Sequence, residues 1–136
     1  MIEESRIIAV DFDGTIVENR YPQIGKERPF ALRTLKALQN KGFILILWTC
    51  REGKCLDEAV EFCKKGGVEF YAINSNYPGE TDGESARKLR ADIFIDDRNL
   101  GGIPSWGVIY QQLCPGDNKT VVPAQKKSFL QRLFSK

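Results

Sequence analysis

Four short runs of strand-forming residues constrain this chain more than anything else in it. Residues 7–10 (Ile-Ile-Ala-Val) and 43–48 (Phe-Ile-Leu-Ile-Leu-Trp) are wholly apolar, and 68–73 and 91–95 are rich in the same residue types. They are too short for helices and are dominated by β-branched and aromatic side chains, so each reads as a strand. Between the first two, Leu32, Leu35 and Leu38 recur at three-residue steps beside Ala31, while Arg33, Lys36 and Gln39 face away. Arg28-Pro29 opens this helix and Asn40-Lys41-Gly42 closes it, Gly supplying a left-handed C-cap. Leu56, Ala59, Val60 and Cys63 mark a second helix, ended by Gly66-Gly67. Apolar strands alternating with amphipathic helices predict a parallel α/β sheet.

The first run leads directly into Asp11-Phe12-Asp13-Gly14-Thr15. Two carboxylates therefore leave the sheet at the C-terminal end of a strand, and a Gly follows where the backbone can turn sharply and bring its N–H groups near a ligand. Like charges about 4 Å apart cost roughly 4 kcal/mol at an effective dielectric of ~20. A hard divalent cation with oxygen ligands, Mg²⁺ above all, is the expected remedy.

The totals exclude several classes. With 136 residues there is room for one domain with a real core. A net charge of +2 gives no broad electrostatic case for nucleic acid or a membrane surface. No apolar run approaches the ~20 residues that span a bilayer, and the acidic start Met-Ile-Glu-Glu is unlike a secretion signal, so a cytoplasmic location is expected. There is no His, which removes His-based triads and His-metal sites. The four Cys, at 50, 55, 63 and 114, form no C-x-x-C pair and read as reduced thiols. Neither a C-x₅-R phosphatase loop nor a G-x₄-G-K-[ST] loop occurs.

The remaining segments are less regular. Residues 16–26 read as a loop, and 74–84 as a long polar loop. Ser105 can cap a short helix carrying Trp106, Ile109, Tyr110 and Leu113, although 108–110 suits an edge strand equally well. Residues 1–114 are expected to form the one folded domain. Residues 115–136 are expected to be a linker and a short amphipathic segment that docks on the domain, buries in a dimer, or frays.

Three strands end in polar groups: Asp11 and Asp13, Thr49, and Asp96 with Asp97. In an open α/β sheet such ends converge where the strand order reverses. Their order resembles the haloacid dehalogenase-like phosphatase superfamily, whose motifs are D-x-D-G-T, a Ser or Thr after the second strand, an upstream Lys, and a late acidic pair. Here they are DFDGT (11–15), Thr49 in ILILWTCR, Lys88 in ARKLRADIFIDDRN, and Asp96-Asp97, so that the resemblance covers about residues 6–100. It implies a three-layer α/β/α Rossmann-like fold. Neither interval where relatives insert a cap has room for one, so a small capless member without a separate cap domain is expected.

What the resemblance implies for the site follows residue by residue. Asp11 is the nucleophile that becomes an aspartyl-phosphate, and Asp13 is the general acid and then base, its carbonyl also reaching Mg²⁺. Asp11, Asp13, Asp96 and Asp97 form the metal site. Asp97 is preferred over Asp96 as the inner-sphere ligand, without a firm separation. Thr49, Lys88 and the N–H groups around Phe12 and Gly14 bind the phosphoryl oxygens. Arg51 reaches a substrate anion or makes a structural salt bridge. The expected partner is a small-molecule phosphate ester, with a homo-oligomer open. A sugar phosphate, a nucleotide or a phosphoprotein all fit, and Tyr77, Pro78 and Glu80 are candidates for a partial lid. The competing readings are a phospho-accepting receiver domain and a phosphate-binding module without turnover.

Overall fold

A computed structural model describes residues 6–80 and 88–117. Its elements run β1 (Ile7–Val10), β2 (Val17–Arg20), β3 (Gln23–Glu27), α1 (Ala31–Asn40), β4 (Ile44–Leu47), α2 (Gly53–Lys65), β5 (Ala72–Ile73), β6 (Ile93–Ile95) and α3 (Trp106–Leu113). Four strands form a sheet in the order β5-β4-β1-β6, and every pairing in it is parallel. The chain steps outward from β1 to β4 and β5, then returns to the opposite side of β1. The strand order therefore reverses at β1.

Alternation along the strands divides the core. Ile8 and Val10 of β1, with Leu45 and Leu47 of β4, join α1, α2 and α3 in one cluster. Ala9 and Ile46, on the opposite face, pack with Ala72 and Leu89. All three described helices thus contribute to the first face. The second is covered, among the described residues, by Leu89, Ala91 and Trp48 rather than by a helix. Fully burying each of these large aliphatic side chains contributes about 1.5–3 kcal/mol, so the central strand is the best-anchored element of the domain. Among the described residues no helix is long and apolar enough to cross a membrane.

The elements depart from the sequence-based boundaries in instructive ways. The segment expected to be a loop, 16–26, holds the antiparallel β2–β3 hairpin, turned at Tyr21-Pro22. Gly25 permits its close backbone approach, since a Cβ there would lie 2.0 Å from the Glu18 carbonyl oxygen. Helix α1 starts at Ala31 rather than at Pro29, because Phe30 adopts a left-handed φ of 66°. The Glu27 carboxylate then accepts a hydrogen bond from the Leu32 N–H at 3.0 Å. The third and fourth strands are shorter than expected: only Ala72–Ile73 and Ile93–Ile95 pair. Residues 106–113 are helical, not an edge strand, with the Ser105 hydroxyl accepting from the Val108 N–H at 3.3 Å. Residues 118–136, which include the expected amphipathic segment, lie outside those described, as do 81–84 of the long polar loop.

Candidate active site

Asp11 leaves the end of β1, where its N–H donates to the Ile95 carbonyl at 3.0 Å. That bond ties the residue just past β1 to the last residue of its neighbour β6, and Asp96 and Asp97 follow at once. Carboxylate oxygens of Asp11, Asp96 and Asp97 consequently lie within 4.8 Å of one another. Asp96 and Asp97 both contribute, so the geometry does not separate them.

Thr15 organises this cluster from below. Its buried hydroxyl accepts from the Asp97 N–H at 2.9 Å and donates to Asp11 Oδ2 at 2.9 Å, with Asp97 Oδ1 at 3.4 Å. The Thr15 carbonyl in turn accepts from the Trp106 indole N–H at 3.0 Å, which fastens α3 beneath the site. Gly14 is required by a close approach: its φ is 89°, and a Cβ there would lie 2.4 Å from Asp97 Oδ2. Neither Thr15 nor Trp106 stood among the sequence-based site residues, although Thr15 lies within the first motif.

Burial pushes the Asp11 carboxyl up to about 7, with the Asp96 and Asp97 charges adding to the effect and the Thr15 hydrogen bond opposing it. Three hard oxygen donors crowded at the mouth of a sheet, one of them held against ionisation by its surroundings, have the donor chemistry that suits a divalent cation.

The other expected residues divide into those the fold brings to this cluster and those it does not. Thr49 lies two residues past β4 and shares a cavity of about 560 Å³ with Asp11, Asp13 and Asp96. Its N–H donates to Asn74 Oδ1 at 2.8 Å, and its hydroxyl oxygen accepts from the Arg51 N–H at 3.1 Å, leaving the O–H proton free to donate. Asp13 lines the cavity but stands outside the three-carboxylate group. Its two oxygens accept from Arg51 Nε and Nη2 at 2.7 and 2.8 Å. Arg51 is buried, and its remaining donors reach the carbonyls of Pro22, Gln23 and Cys55. A guanidinium has five N–H groups, and all five are satisfied, so the expectation that Arg51 reaches a substrate anion gives way to the salt bridge.

The phosphate-binding assignment of the Gly14 N–H also needs correction, because it donates to the Val17 carbonyl at 2.7 Å. The Phe12 and Asp13 N–H groups, in contrast, find no acceptor among the described residues. Lys88 is exposed, with Nζ 5.4 Å from the centre of the Phe94 ring, and does not line the cavity. Tyr77, Pro78 and Glu80 do not line it either. Its lining is completed by Arg51 and Cys50 and by Asn19 and Tyr21 of the hairpin, Trp48 and Arg98, the last four of which carried no motif signal.

No family model matches the chain, and no curated protein matches it. Among solved structures, a conserved protein from Bacteroides thetaiotaomicron is 59% identical over 85% of this chain and 94% of its own, with a TM-score of 0.78.

Proposed function

We propose that this chain, which belongs to one family with the conserved Bacteroides thetaiotaomicron protein, is a Mg²⁺-dependent phosphoric monoester hydrolase of the haloacid dehalogenase-like type. The fold we infer is the three-layer, capless one. The single observation that carries the reading is the grouping of Asp11 with Asp96 and Asp97 at the point where the strand order reverses, beside a cavity that Asp11 and Asp96 line together with Asp13 and Thr49.

In this reading an Asp11 oxygen attacks phosphorus in line with the ester oxygen. The P–O ester bond breaks, its electron pair goes to the leaving oxygen, and Asp13 supplies the proton. Water then attacks the aspartyl-phosphate, Asp13 takes the water proton, and Asp11 is released as carboxylate with inorganic phosphate. In this reading the Thr49 hydroxyl and the Asp13 N–H, both from residues that line the cavity, would donate to phosphoryl oxygens, joined by the Phe12 N–H, which has no acceptor among the described residues. Asp11, Asp96 and Asp97 would hold the Mg²⁺, which supplies charge stabilisation to the transferring phosphoryl group.

A panel of phosphate esters, p-nitrophenyl phosphate among them, tests the proposal. Turnover that requires Mg²⁺ and is abolished in Asp11→Asn supports it, and absence of any Mg²⁺-dependent phosphate release overturns it. One observation favours the alternative of a phosphate-binding or phospho-accepting module without turnover: both oxygens of Asp13 are engaged by Arg51. Stable phosphoprotein, with no release of phosphate, would establish that alternative.

A further inference from the structure

The Arg51 side chain is unusual in being buried while carrying a charge, and its partners come from three separate parts of the chain. Two of its donors hold the Asp13 carboxylate, two hold the Pro22 and Gln23 carbonyls at the turn of the β2–β3 hairpin, and one holds the Cys55 carbonyl in the first turn of α2. Its guanidinium carbon also lies 5.1 Å from the centres of both the Phe12 and the Tyr21 rings. The hairpin is otherwise a small two-stranded sheet with three exposed residues at its end, Tyr21, Pro22 and Gln23. A two-stranded ribbon of this kind is marginal alone.

We propose that Arg51 is a positioning residue: it fastens the hairpin turn to α2 and to Asp13, and thereby fixes one wall of the cavity and the acid–base carboxylate together. The catalytic half of this inference rests on the hydrolase reading above; the tether does not. Because each carboxylate oxygen accepts one Arg51 N–H, a second acceptor direction remains on each, and Asp13 can act toward the cavity while held. Because Tyr21, which lines the cavity, lies on the guanidinium, its place in the wall is set by the same group. Lys cannot reproduce the arrangement, having three donors on one nitrogen and no planar fork.

The test uses the full chain in three forms: wild type, Arg51→Lys and Arg51→Ala. Hydrogen exchange at the amides of 17–27 reads the tether. Exchange there should quicken ~10-fold or more in both variants while β1 and β4 stay protected, as expected where one local unit loses its anchor. The catalytic half is read with two esters, p-nitrophenyl phosphate, whose leaving group departs without a proton, and glycerol 2-phosphate, whose leaving group needs one. General acid help is worth ~10²–10⁴-fold, so a displaced Asp13 should slow the second ester ~10-fold more than the first. A fold defect alone would slow both equally. Mg²⁺ affinity, measured by calorimetry, should stay within about 3-fold of wild type, since Arg51 touches none of Asp11, Asp96 and Asp97; an effect on metal of ~10-fold or more would overturn the division of labour.

Unchanged hairpin exchange in both variants overturns the tether, and equal slowing of the two esters overturns the positioning of Asp13. If Arg51→Ala does not fold, Arg51→Lys, which keeps the charge and most of the volume, decides alone. Should the wild type release no phosphate from any ester, the hydrolase reading falls while the exchange measurement still judges the tether.

Discussion

Arg51 and Asp13 stand 38 positions apart in the chain and meet through two hydrogen bonds of 2.7 and 2.8 Å, with the Arg51 side chain 1% exposed and that of Asp13 16%. A fork-to-fork pair of this type is the strong form of the carboxylate–guanidinium interaction. Removing one partner leaves the other charge buried and uncompensated, which for buried pairs costs about 3–5 kcal/mol. Asp13→Ala is therefore expected to lower the urea midpoint clearly, whereas Asp13→Asn, which keeps one acceptor, should lower it less. Equilibrium denaturation of the two variants checks the order.

Asp11→Asn separates chemistry from stability. Turnover should fall by ~10³-fold or more, because the amide cannot serve as the phosphoryl acceptor. Without metal the same change should raise the melting temperature at pH 8, since one of three crowded carboxylates is removed. Differential scanning fluorimetry alongside the ester assay reads both.

The raised Asp11 carboxyl fixes the sign of the pH dependence. Its value is 3.8 in the ordinary case and about 7 here, so the folded chain holds this proton more tightly than the unfolded chain. Its contribution to stability is then fully present below pH 3.8 and is lost as pH rises through about 7. Mg²⁺ favours the ionised form, so the melting-temperature gain on adding Mg²⁺ should be larger at pH 8 than at pH 5. A gain that is equal at the two pH values, or larger at pH 5, would contradict the assignment of Asp11 to the metal.

Thr15→Val keeps the shape of a buried side chain and removes its hydroxyl. The Asp97 N–H and Asp11 Oδ2 would each lose a partner. Leaving a buried group unsatisfied costs about 1–3 kcal/mol. Thr34→Val should have the opposite sign, because the Thr34 hydroxyl is buried and has no partner among the described residues. Removing it should be neutral or stabilising by up to about 1 kcal/mol. Urea titrations of both variants test the contrast.

The part of the architecture that was legible in the residue order is the part governed by strong local patterns. Ile7–Val10 and Ile44–Leu47 announce buried strands because both of their faces need apolar cover. The convergence of Asp11 with Asp96 and Asp97 follows once those strands are parallel. The hairpin was not legible, because Val17 and Ile24 are nearly its only aliphatic residues and its strands show no alternation to betray them. Nor was the burial of Arg51, since a cation beside a strand end is ordinarily at the surface. The Asp13 carboxylate and the carbonyls of a turn remote in the chain, brought close by tertiary structure, together with the Cys55 carbonyl, make its interior position tolerable. The Gly14 N–H was misjudged for a related reason: the tight turn that aims the motif also closes on itself through Val17.

The bond from the Trp106 indole to the Thr15 carbonyl has a practical corollary. The chain contains two tryptophans, and they bracket the aspartate cluster, Trp48 at the cavity wall and Trp106 behind Thr15. Intrinsic emission from this protein is thus an unlabelled reporter of its own centre, one half-buried fluorophore lining the cavity and the other sensing the scaffold behind it.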